Sequence, residues 1–364
     1  MPPEGARPPV PVTLLTGFLG SGKTTLLNAI LADPAMRGTA VVVNEFGTIA
    51  IDHDLIHAGR EDYVVTSTGC ICCTAGSDIR TSLFEIADAA DRGRFPPFTR
   101  AVVETTGLAD PAPIINSLTP GGMPSTGLRD HVVARRFRLA GVVTTFDAAT
   151  GSHALDRHIE CWKQLAFADH IILTKTDLAA DPDAEADLAA LPARLRAVNP
   201  SAAITDRRDL RDLGCLLGDG SYSSSGKAED VPGWLALERA AGAHAHATPD
   251  PNRHGDRIQA FHFVETAALD PGLFSAFLDL MMLQAGVLRL KGIVALSDDP
   301  SRPVVVHGVQ HVLHERTRLE GWPGADRRSR LVVIGDGISA EATRRLFAAA
   351  VERPAARRRL GFFR

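Results

Sequence analysis

The residues GFLGSGKT at positions 17–24 match the pattern G-x-x-x-x-G-K-[ST]. The apolar run PVPVTLLT precedes it at 9–16, and the helix-type pattern TTLLNAILAD follows it at 24–33. Glycines between a strand and a helix let backbone N–H groups turn inward at the helix N-terminus, where phosphate oxygens bind. The pattern therefore predicts a phosphate-binding loop in which Lys23 reaches the β- and γ-phosphates and the Thr24 hydroxyl is a ligand of Mg²⁺. A glycine-rich turn without a ligand is the alternative.

Strand-type and helix-type patterns alternate through the rest of the first half of the chain. Apolar runs predict strands at 39–44, 63–68, 100–106, 139–146 and 170–175, and helical patterns lie at 77–92, 111–118, 155–167 and 183–198. Continuous apolar strands that alternate with helices are typical of a parallel sheet covered on both faces. The sequence therefore predicts an α/β fold, with a P-loop NTPase domain over residues 1–210 that contains a mainly parallel sheet.

The second half has a different organisation. Residues 211–256 are rich in Gly, Ser, Pro and His, which predicts a flexible linker with a short helix and a loop that contains His244, His246 and His254. Residues 257–352 return to regular patterns and predict a smaller α+β domain. Its strands are expected at 258–265, 287–296, 303–313 and 330–335, and its helices at 269–286 and 339–352. A basic tail, 353–364, follows.

Two features of this domain, a helix N-cap and the strand faces of three histidines, can be assigned to specific residues. Asp270 is expected as the N-cap of the first helix, with Pro271 in the first turn. Strand spacing predicts His307 and His311 on one face of the third strand and His314 on the other. A metal-binding role for these histidines, or for those of the linker, is left open.

Composition excludes several other classes of protein. Basic and acidic side chains number 39 and 43, which gives a formal net charge of −4, and hydrophobic residues make up 45% of the chain. This balance argues against a general nucleic-acid binder. No apolar run approaches the about 20 residues of a membrane span, and the N-terminus lacks the pattern of a secretory signal. We therefore expect a cytoplasmic protein that binds neither membranes nor nucleic acid.

A carboxylate is expected beside the phosphate loop. The run AVVETTG at 101–107 places Glu104 at the end of an apolar strand. An acidic residue that faces Mg²⁺ or its water shell belongs at this position, and Gly107 would then lie close to the γ-phosphate. The alternative is that Glu104 is a solvated strand end.

Base recognition is expected at Thr174-Lys175-Thr176-Asp177, which resembles the guanine-reading N-K-x-D element of GTPases. An Asp carboxylate accepts hydrogen bonds from guanine N1–H and N2–H₂ together, whereas adenine has no such pair of donors. The stem of Lys175 would cover the base. The first position is Thr rather than Asn, which departs from the pattern. We therefore predict GTP as the nucleotide, with ATP as the alternative.

Three thiols lie within four positions in GCICC, at Cys70, Cys72 and Cys73. Thiolates suit Zn²⁺, and also Co²⁺ or Cu(I), and three ligands leave a fourth site open for exchange. Carboxyl ends of parallel strands meet at one edge of a sheet, so these thiols are expected on the same rim as Glu104. Buried unreactive thiols and a redox switch are the alternatives.

At this point the sequence resembles the CobW family of P-loop GTPases, which includes metal chaperones and metalloenzyme-activating proteins. The resemblance covers nearly the whole chain and is carried by TGFLGSGKTTLLN, NEFGTIAID, GCICC, ETTGLADP, FADHIILTKTDL, LRLKGIVAL, VQH and WPGADRRSRLVVIG. It implies that Cys70, Cys72 and Cys73 bind metal near the nucleotide. It also implies that the segment 44–52 is a switch, in which Glu45 and Asp52 are carboxylates linked to the metal or to Mg²⁺.

The residues and the resemblance together give a set of candidate sites. The nucleotide-binding set is Gly17, Gly20, Ser21, Gly22, Lys23, Thr24, Thr25, Gly107, Thr174, Lys175 and Asp177. The catalytic set is Lys23, Thr24 and Glu104, and the Mg²⁺ ligands are Thr24, Asp52 and Glu104. Thr48 stands where the family commonly has a second Glu, which would weaken the metal site or change its selectivity.

The function expected from these sites is that of a GTPase that loads a divalent metal, zinc or cobalt, into a client metalloprotein. The second domain would recognise the client, and a homodimer is left open. One alternative is a GTPase activator of a single enzyme, such as a nitrile hydratase or a cobalamin-pathway enzyme. Another is a redox-regulated GTPase in which the C-x-C-C thiols form disulfides.

Overall fold

The computed structural model of the protein describes residues 8–44, 65–68, 75–119, 127–178, 182–217 and 258–351. The structure divides into two compact units, one that ends at Ala260 and one that begins at Phe261. Within the described ranges, no helix combines the length and the apolar character that crossing a bilayer requires.

The first unit contains a seven-stranded sheet in which every pair of neighbouring described strands is parallel. Its strands are β1 (Val10–Gly17), β2 (Thr39–Asn44), β3 (Val65–Thr68), β4 (Arg100–Glu104), β5 (Phe137–Asp147), β6 (His170–Thr174) and β7 (Ala203–Asp206). They are arranged in the order β3-β2-β4-β1-β5-β6-β7. The predicted α/β fold with a mainly parallel sheet is therefore confirmed.

Helices follow most of these strands. They are α1 (Lys23–Ala32), α2 (Ala75–Asp91), α3 (Ala112–Leu118), α4 (Leu128–Arg136), α5 (Gly151–Arg157), α6 (Ile159–Phe167) and α7 (Pro182–Val198), with 3₁₀ turns at Pro34–Met36, Thr176–Leu178 and Leu213–Leu216. The central strands are apolar on both faces, and α1 buries Leu26, Leu27 and Ile30 against one of them. The burial of both faces explains why these strands appear in the sequence as continuous apolar runs.

Three elements of the first unit differ from the sequence expectation. The helix expected at 155–167 is two helices, because His158 between them has an extended backbone with φ −124° and ψ 116°. Neither α4 nor β7 was expected. Of the described α4 side chains only Val133 is fully buried, and β7 has only four residues, so neither element shows a clear apolar period.

The second unit is an antiparallel sheet with two helices, as expected for a small α+β domain. Its elements are β8 (Ile258–Glu265), α8 (Pro271–Met282), β9 (Val287–Val294), β10 (Val304–Val309), β11 (Val312–Leu313), β12 (Thr317–Arg318), β13 (Ser329–Asp336) and α9 (Ala340–Val351). The strand order is β11-β10-β9-β13-β8, and β12 pairs with β10. The Asp270 carboxylate accepts hydrogen bonds from the N–H groups of Gly272 and Leu273, which confirms it as the N-cap of α8.

The histidines of this unit do not share a strand face. The chain turns at Gln310, which has a φ of 52°, so the run expected as a single strand at 303–313 is the hairpin β10–β11. His307 is buried in β10, whereas His311 is exposed in the turn and His314 is buried beyond β11. The prediction that His307 and His311 lie on one face is therefore wrong, because strand spacing does not continue through a turn.

Candidate functional site

The phosphate loop has a backbone that only glycine adopts without strain at several positions. Gly17, Gly20 and Gly22 have φ values of 144°, 72° and 90°, and Gly22 is the residue directly before α1. A Cβ on Gly17 would lie 2.4 Å from Thr145 Oγ1, so side chains are excluded there for lack of space as well. The first turn of α1 contains no acidic residue, which leaves the positive end of the helix available to an anion.

Lys23, the first residue of α1, folds back over this loop. Its Nζ donates hydrogen bonds to the carbonyl oxygens of Gly17 and Phe18, at 2.9 and 3.2 Å. A hydrogen bond also ties the loop to the sheet, since the Oγ of Ser21 is 2.7 Å from Oγ1 of Thr145 on β5. The ammonium group is therefore held at the loop where the phosphates are expected to bind.

Thr24 and Glu104 lie together although they are far apart in sequence. Glu104 ends β4 opposite Leu15 of β1, and the Thr24 hydroxyl donates a hydrogen bond of 3.1 Å to Glu104 Oε1. Adjacent ligands of an octahedral Mg²⁺ with bonds of about 2.1 Å lie about 3 Å apart. A hydroxyl and a buried carboxylate at this separation therefore fit the first coordination shell or the water shell of Mg²⁺.

Gly107, which follows β4, packs directly on the phosphate loop. A Cβ at this position would lie 2.7 Å from the backbone N of Leu19 and 2.8 Å from its Cα. Nothing larger than glycine fits there unless the backbone moves. The contact brings the turn after β4 next to the loop that is expected to hold the γ-phosphate.

A cavity of about 200 Å³ lies along the same sheet edge, on the β6–β7 side of the phosphate loop. It joins the start of α1 to the carboxyl ends of β6 and β7, and its lining residues are Gly22, Thr25, Leu26, Thr174, Lys175, Thr176, Asp177, Asp206, Arg207 and Arg208. The cavity therefore contains five members of the expected nucleotide-binding set, and it has the position expected for a base.

Thr174 takes a structural role at the position where the GTPase pattern has Asn. Its hydroxyl lies 2.8 Å from the carbonyl oxygen of Ser21 and 3.2 Å from that of Phe146, and it can donate to either. The side chain thus links β6 to the phosphate loop and to β5. A hydroxyl donor is sufficient for this link, which explains how Thr replaces Asn here.

Lys175 is held in place by a residue that the sequence did not single out. Its φ of 57° turns the chain after β6, and its Nζ donates to Asp147 Oδ2 at 2.7 Å. Burial raises the pKa of Asp147, but hydrogen bonds from Lys175, Thr150 and Ala149 outweigh it, and the net pKa is below its usual value. Asp147 is therefore an anion that fixes the lysine stem at the edge of the cavity.

Asp177 is exposed at the rim of the cavity, beside a second pair of charges that the sequence did not indicate. Asp206, the last residue of β7, accepts hydrogen bonds from the Arg208 guanidinium, with Nη2 to Oδ2 at 2.9 Å. Burial raises the pKa of Asp206, but the hydrogen bonds from Arg208 and Thr176 lower it overall. Motif spacing gives no signal for this pair, because β7 is short and Thr176, the other partner of Asp206, follows a different strand.

The expected metal ligands are Cys70, Cys72, Cys73, Glu45 and Asp52, and all five lie outside the described residues, as do His244, His246 and His254. In the ranges that the structure describes, no group of three or more His, Cys, Asp or Glu side chains could hold a metal ion. The two described cysteines, Cys161 and Cys215, are both free thiols. Burial raises the pKa of Cys161 to about 12, and Cys215 is exposed.

Two family models match the chain. Residues 11–206 match the model described as "CobW/HypB/UreG, nucleotide-binding domain", and residues 258–351 match the "Cobalamin synthesis protein cobW C-terminal domain". The first match covers the sheet apart from Val10, and the described candidate site apart from Arg207 and Arg208.

Curated proteins and a solved structure are similar over most of the chain. The zinc chaperone YjiA of Escherichia coli (strain K12) is 30% identical over 343 residues, which are 93% of this chain and 98% of that protein. The zinc-regulated GTPase metalloprotein activator 1 of Dictyostelium discoideum is 28% identical, over 90% of this chain and 76% of that protein. The crystal structure of Zn(II)-bound YjiA GTPase from E. coli has a TM-score of 0.66 at 25% identity and covers 95% of this chain and 100% of that one.

Proposed function

Because the chain belongs to the CobW/HypB/UreG family, we propose that it is a GTP-hydrolysing metallochaperone that delivers a divalent metal to a client metalloprotein. Cys70, Cys72 and Cys73 supply the thiolate ligands in this proposal. Zinc is the first choice of metal, because related proteins are named zinc chaperones, and cobalt is the second. The client remains to be identified.

The observation that carries the proposal is the strand register at the sheet edge. Thr68, the last residue of β3, pairs with Asn44 of β2, and Val43 of β2 pairs with Glu104 of β4. Neighbouring strands are about 4.8 Å apart, so the end of β3 is about 10 Å from the end of β4. The thiol segment begins directly after Thr68, which supports a metal site close enough to the nucleotide to respond to it.

Hydrolysis of GTP needs positioning and charge stabilisation more than covalent chemistry from the protein. Lys23 and the backbone N–H groups of the loop would stabilise the charge that develops on the phosphates. Thr24 and Glu104 would hold Mg²⁺, which supplies neutralisation of the β- and γ-phosphate charges when it is bound. The exposed carboxylate of Asp177 would select guanine at the rim of the cavity.

The nucleotide part of the proposal is tested by phosphate release from GTP and from ATP with the purified, reduced protein and Mg²⁺. We expect GTP to be hydrolysed in preference to ATP. Equal rates with the two nucleotides, or no hydrolysis of GTP, would contradict the proposal.

The metal part is tested by the zinc content of the wild type, of Cys72→Ser/Cys73→Ser and of the control Cys215→Ser. Cys215 is exposed and lies after β7, so its replacement removes an accessible thiol without touching the C-x-C-C segment. We expect zinc to bind to the wild type and to the control but not to the double variant. Unchanged zinc binding by the double variant would rule out the thiol site, and a disulfide within the segment in the reduced cytosol would favour the redox-regulated alternative.

Delivery to a client is tested by a pull-down from zinc-starved cells. We expect the captured protein to be a metalloprotein whose zinc content falls when Lys23→Ala replaces the wild-type chain. Capture of a single nitrile hydratase-type or cobalamin-pathway enzyme would favour the narrower activator role.

A further inference from the structure

One buried side chain of α6 holds the turn that follows β4. The Nε2 group of Gln164 donates hydrogen bonds to the carbonyl oxygens of Gly107 and Ala109, at 3.0 and 3.2 Å. Gln164 is 1% exposed, so water does not substitute for these bonds. Its neighbour Lys163 adds an ion pair of 2.8 Å to Asp110 Oδ2. Two consecutive residues of one helix therefore hold the segment 107–110 in place, through two hydrogen bonds and one ion pair.

The turn after β4, which contains the segment 107–110, lies against the phosphate loop. Besides the close packing of Gly107 on Leu19, the Oγ1 of Thr105 donates to Oγ1 of Thr16 at 2.8 Å. The residue directly before α6 contacts the loop as well, because the ring of His158 lies 4.8 Å from the ring of Phe18. The helix and the residue before it thus contact both elements between which the terminal phosphate is expected to bind.

The two hydrogen bonds from Gln164 fix the peptide units that contain the carbonyl groups of Gly107 and Ala109, on either side of Leu108. A peptide unit is planar and trans, so fixing a carbonyl oxygen points the following N–H in the opposite direction. Within the same turn the Thr106 carbonyl accepts a hydrogen bond of 3.2 Å from the Ala109 N–H, which directs the Gly107 N–H away from the inside of the turn. A backbone donor with a fixed direction is what stabilisation of developing phosphate charge requires.

We propose that Gln164 is a positioning residue for hydrolysis, which acts by holding the turn 106–109 in the shape that meets the γ-phosphate. The inference rests on the proposed GTPase function and adds to it the residue that couples α6 to the terminal phosphate. Because GDP lacks that phosphate, Gln164 affects turnover and the preference for GTP over GDP. It does not contribute to the binding of GDP itself.

The chain offers a matched control in Asn199, whose side chain bonds to the carboxyl-terminal end of the same helix. Asn199 is 0% exposed, and its Nδ2 donates to the carbonyl oxygens of Leu165 and Ala168, each at 2.8 Å. It is a buried amide that bonds to backbone carbonyls at the end of α6, as Gln164 bonds to those of the turn, and its side-chain hydrogen bonds go to residues 165–168 and Ser201. The pair Gln164→Met and Asn199→Leu therefore separates positioning from general support of the fold.

The experiment measures GTP turnover, GTP and GDP affinity and thermal unfolding for the wild type and both variants. We expect Gln164→Met to lower kcat about 10- to 100-fold, the scale of a misplaced catalytic group, with GDP affinity unchanged. The preference for GTP over GDP should fall with it. Asn199→Leu should lower the unfolding temperature while keeping both kcat and the GTP preference.

A second variant keeps the test decisive if Gln164→Met does not fold. Lys163→Met removes the partly exposed ion pair to Asp110, with side-chain exposures of 31% and 30%, and should lower kcat in the same direction by at most about fivefold. If the wild type hydrolyses GTP and the variants of Gln164 and Lys163 behave as Asn199→Leu does, the inference is wrong and the proposed function stands. A wild type that does not hydrolyse GTP would contradict the proposed function itself.

Discussion

The phosphate end and the base end of the candidate site are built in different ways. At the phosphate end, Lys23 and Thr24 are the first two residues of α1, directly after the phosphate loop, and their partners are backbone carbonyls of that loop and the buried Glu104. At the base end, the lining comes from the start of α1 and from the ends of β6 and β7, and Lys175, Asp177 and Arg208 are exposed at the rim. Phosphate binding therefore depends on local sequence, whereas base selection depends on how distant strands pack. Variants at the two ends should accordingly affect different properties.

The largest effect is expected at the phosphate end. Lys23→Ala removes the cation aimed at the β- and γ-phosphates and should slow turnover by about 100- to 1000-fold, the range for one group that stabilises transition-state charge. Binding of GTP and of ATP should weaken together, because the lysine does not contact the base. Steady-state phosphate release checks the rate, and unchanged turnover would remove Lys23 from the mechanism.

A smaller and more selective effect is expected from Asp177→Asn at the base end. The amide presents a donor to the N–H groups of guanine, so GTP affinity should fall about 10- to 100-fold, the scale of hydrogen bonds to a charged group. Binding of xanthine nucleotide should improve, and hydrolysis of bound nucleotide should continue. Competition between GTP and XTP measures this, and an unaltered preference would mean that Asp177 does not read the base.

The smallest effect is expected behind the base pocket, at Asp147→Asn. Loss of the anion frees Lys175 and should weaken GTP binding by at most about fivefold, since the lysine is partly exposed. The wild-type pKa of Asp147 is lowered by folding, so its contribution to stability is complete above the unfolded pKa of about 4 and is lost as the pH falls through the folded value.

The direction of this pH dependence of stability can be checked directly by thermal unfolding. The difference in stability between the wild type and Asp147→Asn should be constant from pH 8 to about pH 5 and should vanish only in stronger acid. A difference that disappears near neutral pH would show that the carboxylate is not held as an anion by Lys175 and Thr150.

The positions of the residues at the phosphate end follow from the sequence because most of their determinants are local. The glycines, Lys23 and Thr24 are contiguous, and the parallel-sheet rule was enough to bring Glu104 to the same edge. The strand–helix alternation likewise fixed the fold class, since buried parallel strands are visible as apolar runs.

Some parts of the site that the sequence did not predict depend on contacts between distant segments. Asp147 and Gln164 acquire their roles only where β5 and α6 meet the turns after other strands, and Asp206 bonds to Thr176 after β6 as well as to its neighbour Arg208. The break at His158 and the turn at Gln310 are backbone events without Gly or Pro to signal them. Short or polar elements such as β7 and α4 have too little apolar pattern to be recognised.

We infer that bound nucleotide and bound metal act on each other across this sheet edge. Titration of Zn²⁺ into the GTP-bound, GDP-bound and nucleotide-free protein tests this coupling. We expect the zinc affinity to differ by at least about fivefold between nucleotide states, and by linkage zinc should change GTP affinity by the same factor. Cys72→Ser/Cys73→Ser should remove both effects and leave GTP binding intact. Equal zinc affinity in all three states would contradict the account and leave a GTPase with an unrelated metal site.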